Sequence, residues 1–296
     1  MRVFVTGATG WIGSAAVDEL LQAGHDVIGL ARSDKSSAAL TAKGAKAWAG
    51  DLDDLDSLRR GAAEAEAVVH LANKHDWADP QGNDRTERLA VEALLEGLEG
   101  SGSPFVIANG LSGIVTGRPV LESDASPAVG PDSDRGGSEN LVLGSPGIRG
   151  IAVRFSPTTH GQGDWGFVNW LTAAARKQGV SGYVGEGDAE WSAVHVTDAA
   201  RLIRLGLESA LAGTRLHAVG EQSISTKAIA EALGKVLDLP TVSIDPADAK
   251  DHFGVVGHFL GSTMTASSEA TRALLDWEPT GPGLIEDILA GAYTTD

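Results

Sequence analysis

Residues 3–13 run Val3-Phe4-Val5-Thr6-Gly7-Ala8-Thr9-Gly10-Trp11-Ile12-Gly13, an apolar segment that turns through three glycines into a helix-periodic stretch. In that stretch Ala16, Val17, Leu20 and Leu21 share one face. Gly24 stands where a helix ends, and His25-Asp26-Val27-Ile28-Gly29-Leu30 then reads as a second buried strand. The unit is βαβ. Each glycine between its strand and helix has a physical purpose: a tight turn at Gly7, close approach of a pyrophosphate to the backbone at Gly10, and close helix–sheet packing at Gly13. Thr9, Trp11 and Ile12 complete the phosphate-binding turn, which in this strand–turn–helix context predicts a dinucleotide site.

Outward from this unit the alternation continues, with apolar strand candidates near 45–49, 66–72, 104–109 and 150–156 and helical stretches between them such as Thr86 to Leu98. Such alternation predicts an α/β fold, a doubly wound parallel sheet of Rossmann type. Further helices are expected from Gly166 to Lys177 and from Thr197 to Glu208, with Leu216-His217-Ala218-Val219 as one more sheet strand. From Ser223 the pattern changes to short helices, Thr226 to Leu237 and Glu269 to Leu275, punctuated by prolines. The expected organisation is a dinucleotide-binding domain over 1–156, completed by 192–220, and a small C-terminal α+β substrate lobe built from 157–191 and 221–296. The Gly-, Pro-, Ser- and Asp-rich stretch 112–137 reads as a long loop without a core face, a length usually tied to function or mobility.

Composition narrows the chemistry. Of 296 residues, 42% are hydrophobic and 21% charged, which allows a sizeable core and excludes a disordered chain. Forty acidic against 23 basic residues give a formal net charge of −17, a poor match to nucleic acid or an anionic membrane. No stretch of ~18 apolar residues occurs, and Met1-Arg2 leads straight into the first strand, so a cytoplasmic soluble protein is expected. With no cysteine, thiolate nucleophiles, disulfides and Cys-ligated metals are excluded, and redox chemistry needs a borrowed cofactor. The acids at 51, 53, 54 and 56 lack the central glycine and the twelfth-position glutamate of a calcium loop, and no histidine pair has metal-ligand spacing on a helix face, so no metal is expected. Gly110-Leu111-Ser112-Gly113 is followed by Ile114 and so falls short of a hydrolase elbow, and the glycine turn lacks the Gly-Lys-Ser/Thr ending of a triphosphate loop.

The end of the second strand selects the cofactor. Dinucleotide sites for NAD place a carboxylate there against the ribose 2′-hydroxyl, whereas this chain has Ala31-Arg32-Ser33. Arg32 can grip a 2′-phosphate bidentately while Ser33 donates, so NADP(H) is expected. Asp51-Leu52, after the third strand, is placed to meet the adenine ring, with Asp51 accepting from its exocyclic amine.

Thr6 to Gly13, followed by Ala31-Arg32-Ser33, Gly50-Asp51-Leu52 and His70-Leu71-Ala72, resembles the extended and atypical short-chain dehydrogenase/reductases. This group includes the NAD-dependent epimerase/dehydratase-like and 3β-hydroxysteroid-dehydrogenase-like proteins. Val153-Arg154-Phe155-Ser156-Pro157-Thr158-Thr159-His160-Gly161 is similar to the family's Arg-x-x-Pro segment under the nicotinamide, which implies cofactor contacts from Pro157 and Thr158. Leu71, Ala72, Asn73 and Lys74 are implied on the same grounds. Related proteins often dimerise through two helices of the cofactor lobe, which makes a homodimer an expectation.

The resemblance fails at the family's catalytic motif, a Ser or Thr paired with Tyr-x-x-x-Lys. Asn109 and Gly110 stand where hydroxyls are expected, with Ser112 two residues later, and Arg135-Gly136-Gly137-Ser138-Glu139 occupies the Tyr-x-x-x-Lys region. The only tyrosines, Tyr183 and Tyr293, have no lysine four residues on. An arginine is no routine proton donor and a glutamate reverses the charge of the lysine. Replacement candidates follow the fourth strand at the carboxyl edge of the sheet: Lys74 to stabilise a developing alkoxide, His75 as a group titrating near neutrality, and Trp77 to wall an apolar substrate. His160 is a second proton-donor candidate, and Asn109 or Ser112 would orient the acceptor. Trp11, Trp77, Trp165 and Trp191 are candidates for an apolar cleft. The leading expectation is NADPH-dependent reduction of a carbonyl-type small molecule; a non-catalytic NADP-binding sensor and a sugar-nucleotide epimerase or dehydratase are the alternatives.

Overall fold

The computed structural model describes residues 1–294. Its first half alternates strand and helix: β1 (Arg2–Thr6), α1 (Trp11–Gln22), β2 (Asp26–Ala31), α2 (Asp34–Lys43), β3 (Lys46–Ala49), α3 (Leu55–Ala63), β4 (Ala67–His70), α4 (Pro80–Gly97), β5 (Pro104–Gly110), α5 (Ser138–Gly144) and β6 (Arg149–Phe155). Then come β7 (Thr158–His160), α6 (Phe167–Gln178), β8 (Ser181–Val184), β9 (Glu190–His195), α7 (Val196–Ser209), β10 (Thr214–Ala218) and β11 (Glu221–Ser225). The chain ends in α8 (Thr226–Leu237), β12 (Thr241–Ile244) and four short helices, α9 (Ala249–Phe253), α10 (Gly257–Leu260), α11 (Glu269–Leu275) and α12 (Leu284–Leu289).

Seven parallel strands form the main sheet in the order β3-β2-β1-β4-β5-β6-β10. The strands read as unbroken apolar runs because helices cover both faces. In β1, Val3 and Val5 join Ala16, Val17 and Leu20 of α1 and Leu202, Ile203 and Leu207 of α7. Phe4, between them, points to the other face with Leu58 of α3 and Val91 and Leu94 of α4. The strand order reverses between β1 and β4, whose register pairs Thr6 with His70. There the carboxyl ends of the strands open a crevice, the usual ligand position in open α/β sheets.

The second lobe carries a three-stranded sheet, β11-β9-β7, and a two-stranded sheet, β12-β8. Trp191, Val168, Leu233, Phe253, Leu260 and Ile288 belong to its separate core. Among the described residues no helix is long and apolar enough to cross a membrane.

Two expectations need correction. The helix expected from Thr86 begins at Pro80: Asp79 accepts from Gly82 N at 2.9 Å, and proline is at ease in a first turn, where its missing N–H is not needed. The stretch 112–137 does have a buried anchor. Val120 packs with Leu111, Val219 and Ala266, its N–H donates to Thr265 O, and its carbonyl accepts from Ser267 N. Glu122 accepts from both the N–H and the hydroxyl of Thr271 at 2.8 Å. These partners are remote in sequence, so no local period betrays them.

Candidate functional site

At the crevice, Gly7 takes φ +68°, a backbone that L side chains rarely adopt, and a Cβ there would come 2.7 Å from Ala72 N. A Cβ on Gly13 would lie 2.0 Å from Gly7 O, so only glycine lets α1 sit this close to the turn. Gly10 caps α1 without any side-chain bond, and the first turn holds no acidic residue. The helix start is therefore open to an anion, with its unsatisfied N–H groups and positive end exposed. Leu71 and Ala72 wall the turn from β4, Ala72 N donating to Thr6 Oγ1 at 3.3 Å. Thr9 is exposed and Ile12 half-buried, while Trp11 Nε1 donates to Thr159 O at 2.7 Å and fastens the turn to the second lobe. A pyrophosphate fits this cradle.

On the β2–β3 side, Arg32 is exposed and has no ion pair or hydrogen bond among the described residues. Ser33 caps α2, accepting from Ser36 N at 3.2 Å. Asp51 Oδ1 accepts from the N–H groups of Asp53 and Asp54 at 2.8 and 3.1 Å, leaving its other oxygen uncommitted, and Leu52 is buried beside it. Lys74 reaches toward this side as well: its ammonium donates to both Asp53 carboxylate oxygens at 2.7 and 2.9 Å. That pairing directs it to the half of the crevice over β3, away from β5 and β6.

Over β4 and β5 a charged network underlies the crevice. Glu87 of α4 is buried; its Oε1 accepts from Arg135 Nη2 at 2.7 Å and its Oε2 from Asn73 Nδ2 at 3.1 Å. Burial alone would raise the Glu87 pKa, but the Arg135 guanidinium, with His70 behind it, holds it down to about 2. Asn73 in turn accepts from His75 N at 2.9 Å, and His75 has φ +51°. His75 is exposed, and crowding by the surrounding loops first and the positive charge of Arg135 second lower its pKa from the ordinary histidine value. Arg135, the residue in the region of the family's tyrosine, thus lies beside His75 and is held by Glu87.

Glu139, in the region of the family's lysine, is drawn under the sheet edge. It accepts from Arg154 at 2.6 and 3.0 Å, Asn109 Nδ2 at 2.6 Å and Arg215 Nε at 3.1 Å. Asn109 Oδ1 accepts from Gly110 N, so both ends of that amide are committed. Ser112 is exposed beyond β5. Pro157 is half-buried at the turn into β7, and Thr158 Oγ1 donates to Ser192 O at 2.8 Å.

His160 is only 1% exposed and bonds Asp287 at 2.9 Å, its ring edge-on to His195. Burial lowers its pKa despite that carboxylate. Nearby, Tyr293 donates to Asp164 at 2.8 Å, and Tyr183 lies in β8 beneath Lys227. Both tyrosines therefore belong to the second lobe. The structure brings Asn73, His75 and Trp77 together at the crevice and sets Lys74, Asn109 and His160 in other partnerships. Glu87 escaped sequence reasoning because it looks like an ordinary helix acid, and Arg135, though it marks the tyrosine's region, gave no sign of its pairing with Glu87, 48 residues away. Trp170 and Phe259, which pack on Trp77, were hidden in helices of the second lobe.

The family model described as "NAD dependent epimerase/dehydratase family" matches residues 3–101. The chain is 40% identical over 295 residues to an uncharacterized protein of Schizosaccharomyces pombe, covering 99% of this chain and 100% of that one. It is 41% identical over 296 residues to an uncharacterized protein of Saccharomyces cerevisiae, covering 98% of each. The solved UDP-glucose 4-epimerase of Thermotoga maritima superposes with a TM-score of 0.78 at 18% identity, over 99% of this chain and 98% of that one, a likeness of fold. The protein belongs to the NAD-dependent epimerase/dehydratase family, the extended short-chain dehydrogenase/reductases, whose members bind NAD(P).

Proposed function

We propose that the protein is an NADPH-dependent reductase of a carbonyl-type small molecule. The observation that carries this is the phosphate cradle at the strand-order reversal, with the unpaired Arg32 beyond β2. Its chemistry suits a 2′-phosphate: a guanidinium with no carboxylate partner offers paired donors to an anion. Among more distant relatives, a Streptomyces protein named 3-diazoavenalumate denitrifying reductase is 28% identical over 301 residues, which accords with reduction.

A reduced nicotinamide bound at this cradle would supply the hydride for reduction of a carbonyl, whose oxygen would need one proton to become the alcohol. His75 is the group for that proton, being titratable, exposed at the crevice and fixed through its backbone by Asn73. Asn73, Glu87 and Arg135 position it and do not touch the acceptor. The commitment of Arg135 and Glu139 to ion pairs favours a second reading, a cofactor-binding sensor without turnover.

Titration with NADPH and NADH, followed by tryptophan-to-nicotinamide energy transfer, tests the cofactor. NADPH should bind at least about tenfold tighter, a difference of ~1.4 kcal/mol that Arg32→Ala abolishes. Equal affinities for the two would overturn the NADP assignment, and binding without oxidation by any of a panel of carbonyl compounds would favour the sensor.

A further inference from the structure

Tryptophan usage divides sharply. The indole N–H groups of Trp11, Trp48, Trp191 and Trp277 donate to Thr159 O, Ser57, Ser262 O and Asp198 O. Those of Trp77, Trp165 and Trp170 have no partner among the described residues. Two of these three stand together. Trp77, seven residues past the end of β4, is edge-on to Trp170 of α6 at 6.2 Å between ring centroids and to Phe259 of α10 at 6.1 Å. Phe167 joins Trp170 at 5.6 Å and Phe259 at 5.0 Å. The cluster thus spans the crevice, one ring coming from the cofactor lobe and three from the second lobe.

Its chemistry is specific in two respects. Trp77 stays 46% exposed although it meets rings of both lobes, and edge-on contacts leave ring face uncovered. Exposed indole N–H groups beside such faces can donate to oxygen on a flat guest. No lysine or arginine belongs to the cluster. Three cations of the second lobe are engaged elsewhere: Lys227 lies over Tyr183, Arg272 binds Glu278 and Gly220 O, and Arg176 binds the carbonyls of Tyr293 and Thr294. A diphosphate needs charged donors that this wall does not offer.

We infer that Trp77, Phe167, Trp170 and Phe259 form the substrate wall of the reductase site, and that the substrate is an uncharged, flat aromatic ketone or aldehyde rather than a sugar nucleotide. This rests on the proposed reduction, in which the guest lies against Trp77 with its carbonyl within reach of His75, two residues earlier in the same loop. Hydride addition at the carbonyl carbon and one proton on oxygen give the benzylic-type alcohol, with NADPH as the reductant.

The test compares α-tetralone with decalone, which share a carbon skeleton and differ in aromaticity, and with UDP-glucose. NADPH oxidation and, separately, calorimetric binding to the NADP+-loaded protein are measured for wild type, Trp77→Ala and Trp77→Phe. Stacking strength leads us to expect about tenfold better kcat/KM and affinity for α-tetralone than for decalone, lost in Trp77→Ala and largely kept in Trp77→Phe, with NADP+ affinity unchanged. Binding of α-tetralone that depends on Trp77 without any turnover supports the wall and overturns the reductase. Turnover of decalone as fast as α-tetralone, or tighter binding of UDP-glucose, overturns the wall whether or not reduction stands. Because Trp77 lies at the surface, its replacement removes no core contact, and thermal melting checks that the variant folds.

Discussion

Arg154 and Glu139 show how charge is used beneath the site. Arg154 is 0% exposed and Glu139 holds it with two hydrogen bonds, aided by Asp124 O. Glu139→Gln keeps the shape and removes the charge, leaving a buried guanidinium without its anion; a cost of about 3 to 5 kcal/mol is expected, read as a lower denaturant midpoint at unchanged slope. His75 gives a prediction of opposite kind, in rate rather than stability. Its lowered pKa means that the protonated ring is fully populated only below the ordinary histidine range. If His75 delivers the proton, kcat for reduction falls as pH rises through that lowered pKa, and His75→Asn loses the falling limb together with most of the rate. A profile that survives His75→Asn unchanged would remove the residue from the mechanism.

At the scale of elements, the α1 turn is the most constrained. Gly13→Ala forces a methyl against Gly7 O, so α1 must back away from the cradle. Dinucleotide affinity should fall by at least about tenfold, measured by the same energy transfer, because the N–H groups of the helix start lose their aim. The turn was legible because glycine spacing states its geometry directly, and β1, β2, β4, β5 and β6 were legible because burial on both faces writes continuous apolar runs. β8, β11 and β12 escaped: residues such as Gln222, Ser223 and Ser243 are exposed, and strands of four or five residues with mixed burial carry no clear period. Asn109 was legible as the odd residue at the end of β5, yet its commitment to Glu139 was not, since that contact joins residues 30 apart. Sequence spacing named Lys74 and His75 as neighbours; only folding showed that Asp53 takes one and leaves the other at the crevice.

At the scale of the molecule, each lobe holds a buried carboxylate whose protonation matters, Glu87 in the first and Asp164 in the second. Asp164, between β7 and α6, accepts from Gly166 N and from Tyr293 near the chain's end, and lies close to Trp11's fastening of the phosphate turn. Burial is the main reason its pKa rises to about 6, with the Asp287 charge adding to it and the hydrogen bonds opposing. An acid whose folded pKa lies above its unfolded value favours the proton-bound form, so its contribution to stability is complete below pH ~4 and is lost as pH rises through about 6. Glu87 works the other way: its depressed pKa gives stability that is present above pH ~4.5 and is lost as pH falls toward about 2. On these two groups the molecule should therefore melt highest near pH ~4, where the Glu87 contribution is nearly complete and that of Asp164 has only begun to be lost. Asp164→Asn can keep its oxygen on Gly166 N and donate through Nδ2 to the Tyr293 hydroxyl, but cannot ionise. Near pH 4 its melting temperature should match the wild type, whereas at pH 8 it should exceed it by roughly 3 to 5 °C, the equivalent of ~2 to 3 kcal/mol in a chain of this size. An offset between the two proteins that stays constant from pH 4 to 8 would mean that the carboxyl does not titrate in that range, and that the tie between Asp164 and Tyr293 carries no pH dependence into the second lobe.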